Sequence, residues 1–215
     1  MSKFEELTTK WENLIDELEE AELEVEVIES EGPASPEEIL EAEKKLNMKL
    51  PPSYKDFILN VSKRLHFAWY LPEEDMELVP EELGEIYQGE IHIDFDVLED
   101  LTHFADDWYE DGVDHGVHWR NKIAFAHASN GDLYTFDGSN EREEKPVYYL
   151  EHEGEDAQFL AESFIDYLER ITELFVVGTE LWHFEAFLDE TGINTKSANA
   201  EKWKKWFTTY IEENS

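Results

Sequence analysis

The chain has 215 residues, with 54 Asp and Glu against 17 Lys and Arg and a formal net charge of −37. Phosphate contacts need clustered Lys and Arg, so direct nucleic-acid binding is disfavoured; the best basic cluster, Lys202, Lys204 and Lys205, is small and lies beside acids. Zero Cys removes any disulfide framework or thiolate metal site, and no apolar run approaches the ~20 residues of a membrane span. Hydrophobic residues at 41% and aromatics at 13% predict a packed core, in a chain long enough to bury about 70% of its unfolded surface. The N-terminus shows no signal-peptide pattern, so the expectation is a soluble, cytoplasmic protein.

Phe4, Leu7, Trp11, Leu14 and Leu18 recur at three and four, which predicts an amphipathic helix over 3–22. Leu23, Val25 and Val27 alternate with Glu as a short strand does, and Glu31-Gly32-Pro33 marks a boundary. Ser35, Pro36 and Glu38 then stand where an N-cap, a first helical residue and a capping-box carboxylate belong. Ile39, Ala42, Leu46 and Leu50 form one buried stripe, with Asn47 as a stop and Pro51-Pro52 forbidding continuation. A second helix starts at Ser53 and carries Tyr54, Phe57, Ile58 and Val61 inward.

A strand is expected over 65–71, then an irregular acidic stretch over 72–89 punctuated by Pro72, Pro80, Gly84 and Gly89. Ile91, Ile93 and Phe95 alternate as a half-buried strand, and Leu98, Leu101, Ala105 and Trp108 fit a helix over 97–109. Asn130-Gly131 predicts a two-residue turn joining strands over 122–128 and 132–137, with a third strand over 146–152 completing a meander. Leu160, Phe164, Tyr167, Leu168, Ile171 and Phe175 predict a helix within 157–177. Trp182, Phe184, Phe187, Leu188, then Trp203, Trp206, Phe207, Tyr210 and Ile211, suggest two short helices around Gly192.

Leu50-Pro51-Pro52-Ser53-Tyr54 resembles, position by position, the Leu-Pro-x-x-Tyr turn that opens domains of the SUKH superfamily. The hairpin from Ile123 to Asp137 and the run from Ala161 to Leu168 are similar to that family's Gly-Asp hairpin and closing helix. One departure stands out: where many members place Asn-Gly-Gly after the second helix, this chain reads Asn60-Val61-Ser62-Lys63-Arg64. The resemblance spans roughly 35–175 and includes no catalytic motif. It implies an α+β fold with a mostly antiparallel sheet of about five or six strands flanked by helices. Residues 34–177 would form the domain, 1–33 an N-terminal helical extension, and 178–215 a C-terminal helical extension packed on it.

The residues themselves offer little chemistry. Asp111, Asp114, His115 and His118 have metal-ligand character, but Gly112 and Gly116 interrupt them, so an acidic loop is the reading and no metal or cofactor is expected. Asp94 and Asp96 share one strand face and are read as solvated, His127 as a partly buried strand histidine, and Trp69, Tyr70, Trp108, Tyr109 and Trp119 as core. No phosphate loop or nucleophile elbow is present, and no enzyme activity is expected.

The resemblance implies an immunity protein that binds and neutralises a cognate toxin, with a basic nuclease as the expected target and a regulatory scaffold for endogenous proteins as the alternative. A single-sign field suits a basic partner, because it speeds encounter and rejects wrong partners, though a solvated acidic surface is the plainer reading of the charge. Glu73, Glu74, Asp75, Asp106, Asp107, Glu110, Asp111 and Asp114 are the candidate partner contacts, chosen for charge and loop position.

Overall fold

In a computed structural model of the chain, residues 2–28, 32–110, 119–139, 141–152 and 157–215 are described. Contacts divide the chain into two units. One comprises Met1–Ile28, His66–Ile91 and Leu168–Ser215, the other Glu29–Leu65 and His92–Tyr167. The class is α+β, as expected, and every paired strand is antiparallel. The described strands form sheets of three (24–28, 64–70, 88–94), four (122–127, 133–137, 147–150, 157–161) and two (188–189, 192–193), each ordered as in the chain, where the sequence analysis expected five or six in one.

In the first unit, α1 (Lys3–Glu20) starts at a capping box: Glu5 N–H donates to Ser2 Oγ at 3.2 Å, and Ser2 N–H donates to the Glu5 carboxylate at 2.6 Å. Its face of Phe4, Leu7, Trp11, Leu14 and Leu18 is buried, as the spacing requires. Trp11 donates through Nε1 to Thr172 Oγ1 at 2.9 Å. β1 (Glu24–Ile28) pairs with β2 (Arg64–Tyr70), placing Val25 opposite Trp69 and Val27 opposite Phe67. Prolines 72 and 80 break the next stretch into 3-10 turns at Glu73–Leu78 and Glu81–Leu83. β3 (Gln88–Asp94) follows, and Gly89 makes an isolated antiparallel bridge with Val177.

The two short C-terminal helices expected around Gly192 are instead a four-residue α6 (Leu181–Phe184), a ribbon of β8 (Leu188–Asp189) and β9 (Gly192–Ile193), and the long α7 (Ala198–Asn214). Gly192 takes φ +84°, which this tight ribbon needs and L side chains resist. Trp203, Phe207 and Tyr210 of α7 are buried, with the Phe207 ring 4.7 Å from that of Trp69. Two indoles close this core: Trp69 Nε1 donates to Phe175 O at 2.7 Å, and Trp203 Nε1 donates to Leu174 O at 2.9 Å.

In the second unit, α2 (Pro36–Leu46) begins at the expected box, with Glu38 N–H donating to Ser35 Oγ at 3.2 Å and Ser35 N–H to Glu38 Oε2 at 2.7 Å. Asn47 ends it at φ +50°. α3 (Pro52–Asn60) carries Tyr54, Phe57 and Ile58 into the core. The Tyr54 ring meets Phe164 edge-on at 5.1 Å and Phe136 at 5.2 Å, while Phe125 stacks on Phe136 at 4.5 Å. These aromatics come from four separate sequence stretches, so burial of their combined surface ties the unit together.

α4 (Leu98–Glu110) lies on β4 (Lys122–His127), burying Ala105 in a cluster with Trp119, Ala124, Leu133 and Leu150. The hairpin from β4 to β5 (Leu133–Asp137) differs from the two-residue turn expected. Gly131 N–H donates to Ala128 O at 3.1 Å and Gly131 alone takes positive φ, +94°, so the turn is a longer one ending in a left-handed glycine. β6 (Val147–Leu150) continues the meander. Residues 157–161, expected as helix, are β7 (Ala157–Ala161), and α5 (Phe164–Glu173) begins only afterwards. Leu160 stands four residues before Phe164 and so mimics helical spacing, but it is an inward strand residue.

Candidate functional site

The acidic turn at Glu73–Leu78 exists because Pro72 fixes the entry and Asp75 N–H closes back on Pro72 O at 2.9 Å. In a 3-10 turn side chains three apart eclipse, so Glu74 and Glu77 stand on one side. With Glu73 they line a shallow, open concavity. Glu73 and Glu74 are exposed, as a binding role requires. Asp75 is half-buried, and its Oδ2 accepts the Tyr210 hydroxyl at 2.6 Å. Burial, then that hydrogen bond, pushes the Tyr210 hydroxyl well above its ordinary range, so it stays a donor. Asp75 therefore anchors the turn while Glu73 and Glu74 project. Sequence reading missed Glu77 and the neighbouring Leu78, which is 57% exposed; three-residue spacing from Glu74 was the available signal for Glu77.

Asp106 and Asp107 follow the buried Ala105 on α4 and are both exposed. The apolar side of α4 is committed to Trp119 and β4, which turns these two carboxylates outward. Glu110 closes the helix. The Glu110 side chain, Asp111 and Asp114 lie outside the described residues, as do His115 and His118 of the metal-like cluster. The structure thus groups Glu73 and Glu74 with Glu77 in one unit, and Asp106 with Asp107 in the other.

Groups with catalytic character turn out to be structural. Asp132, buried beside the hairpin turn, accepts four hydrogen bonds: from Tyr149 OH (2.7 Å), His152 N (2.8 Å), His152 Nδ1 (2.6 Å) and Asn130 Nδ2 (2.7 Å). Burial raises its pKa, but those donors outweigh it and hold the carboxyl below the ordinary range. A carboxylate so fully engaged is a lock on the turn, not a poised base. His183 is buried and takes the N–H groups of Thr179 and Glu180 on Nδ1, and burial drives its pKa down to about 4. His66 pairs through Nε2 with Glu90 at 2.9 Å, and that bond raises its pKa. Among the described residues no group of three His, Asp or Glu could hold a metal ion, and no helix is long and apolar enough to cross a membrane.

Two readings of single residues need correction. Asp94 is buried, not solvated, because Arg64 Nε reaches its Oδ2 at 2.9 Å and Asp96 N–H donates to its Oδ1 at 3.0 Å. His127 is exposed, lying edge-on to His92 at 5.4 Å, since it ends β4 where the strand leaves the core. Trp119 is fully buried, in the core as read, while the side chains of Trp108 and Tyr109 lie outside the described residues. The small basic cluster is partly engaged, Lys202 pairing with Glu82 and Lys204 with Glu201.

No curated protein matches the chain. The SMI1/KNR4 family, also called SUKH-1, matches residues 33–170, and the chain belongs to it.

Proposed function

We propose that this SUKH-1 protein is an immunity protein, one that binds a cognate polymorphic toxin and neutralises it in the cytoplasm. Family membership over residues 33–170 is the observation that carries the reading, since proteins of this family are commonly immunity proteins. The partner is a basic nuclease, and inhibition is by covering its active site or substrate groove. The net charge of −37 supports a basic partner, because it accelerates encounter with a positive surface. Glu73, Glu74, Asp106 and Asp107 are exposed acids that can stand where a nuclease expects phosphates, with Asp75 holding the first pair in place.

The experiment is a rescue. The gene for the partner captured with this protein is expressed from a titratable promoter, with and without this chain. Growth arrest that co-expression relieves, together with inhibition of purified partner at one-to-one stoichiometry, is the expected result. A partner that is harmless alone, or several partners captured at substoichiometric levels, would overturn the reading in favour of a scaffold.

A further inference from the structure

The three-stranded sheet has one edge that no described residue closes. β3 is bridged at Gly89 to Val177, whereas β1 hydrogen-bonds to β2 on one side, and no other described backbone group bonds to residues 24–27. An unpaired edge presents a row of amide donors and acceptors, a template for one more strand. Its side chains sort by face. Val25 and Val27 point with Trp69 and Phe67, and although those two aromatics are buried, Val27 remains 50% exposed. Glu24 and Glu26 point to the other face, both exposed and with no ion pair among the described residues.

We propose that the edge of β1 receives an extended segment of the partner as a fourth strand, a segment in which Lys or Arg alternates with apolar residues. The inference rests on the partner-binding reading above and names the surface that binding would use. An added strand of that pattern covers Val27 with apolar side chains on one face and sets cations against Glu24 and Glu26 on the other. The same pattern rejects a second copy of this chain. Two β1 strands side by side bring glutamates against glutamates, and two bodies of −37 repel before they meet. The edge is thus open to a basic strand and closed to its own kind.

The test uses the full-length protein and a capped Lys-Val-Lys-Val-Lys-Val peptide, followed by NMR and amide exchange. Expected are saturable shifts centred on residues 23–28, slower exchange of the outward β1 amides, and affinity about tenfold lower for Glu24→Lys/Glu26→Lys. A peptide N-methylated at every residue should lose binding, because it keeps its charge but has no backbone N–H to donate to β1. Shifts spread over other acidic surface, equal binding by the N-methylated peptide or the double variant, or no saturable binding would each overturn the proposal. So would self-association of the wild-type chain through β1. The double variant is also run in the rescue assay with its expression titrated: rescue at the same expression level as wild type overturns this inference alone, whereas failure of the wild-type chain to neutralise overturns the broader reading.

Discussion

Glu43, buried on α2, accepts the backbone N–H of Leu50 at 3.1 Å and so fastens the first residue of the Leu50–Tyr54 turn to the helix before it. The same carboxylate holds Lys49 at 2.5 Å and Lys55 at 3.0 Å, which offsets the cost of its burial and leaves its pKa lowered. Glu43→Ala should lower stability by about 3 kcal/mol at neutral pH, because it strands an amide and removes the acceptor for two lysines. A lowered folded pKa contributes stability above the ordinary Glu value of about 4.3 and loses it as pH falls further. The gap between wild type and Glu43→Gln in urea unfolding should therefore shrink below about pH 4. A gap that is constant with pH would mean that the carboxylate charge is irrelevant.

Tyr54 closes that turn, and its hydroxyl is fully buried with no hydrogen-bond partner among the described residues. Burial, then the charge of Asp94, pushes the phenol far above its usual range. A buried hydroxyl without a partner costs about 1–3 kcal/mol, so Tyr54→Phe should leave the protein as stable or raise stability by about 1 kcal/mol. A loss of comparable size in thermal unfolding would show that the hydroxyl has a partner that matters.

The pKa values of His66 and His183 are shifted in opposite directions, although the charge of Glu90 favours the protonated form of both. The hydrogen bond to Glu90 raises His66, whose contribution is complete below about pH 6.5 and lost as pH rises through its folded value. Burial lowers His183 to about 4, so its contribution is present above about pH 6.5 and lost as pH falls toward that value. Histidine NMR titrations should place His66 above and His183 below the ordinary value. His183→Asn should also remove up to about 3 kcal/mol of the stability difference between pH 7 and pH 4. Matching titrations for the two rings would refute this.

Gly89 leaves no room for a side chain. A Cβ there would stand 2.3 Å from Trp69 Nε1 and 2.5 Å from Val176 O. Gly89→Ala must displace the indole that bonds Phe175 O, at a cost of about 2–3 kcal/mol. Tryptophan fluorescence and denaturant midpoint should shift together; an unchanged midpoint would show that the indole can yield.

Charge reversal at the candidate surfaces should act on encounter. Glu73→Lys/Glu74→Lys and Asp106→Lys/Asp107→Lys should each slow association with the partner by about tenfold at low salt and change dissociation less. Stopped-flow or surface-based kinetics would show this. A change confined to dissociation would place these residues inside a desolvated contact instead.

Local signals in the sequence were strong where one residue decides the geometry. Ser35, Glu38 and Asn47 bound α2 as their cap chemistry demands, and the Leu-Pro-x-x-Tyr turn sits where it was read. Periodicity alone misled at Leu160, whose spacing to Phe164 fits a helix although β7 ends between them. The division of strands between sheets was not legible, because pairing such as Val27 with Phe67 joins residues forty apart without a local mark. Of the candidate contacts, exposure of Glu73, Glu74, Asp106 and Asp107 followed from charge. The half-burial of Asp75 did not, since its partner Tyr210 lies near the other end of the chain.

The central claim is tested most directly by affinity capture from native lysate at low and at high salt, with the eluted protein quantified by mass spectrometry and assayed on nucleic acid. The account predicts one basic partner at one-to-one stoichiometry, released by salt, whose nuclease activity falls when this chain is added back. Several weakly held proteins, or a partner indifferent to salt and unaffected in activity, would contradict it.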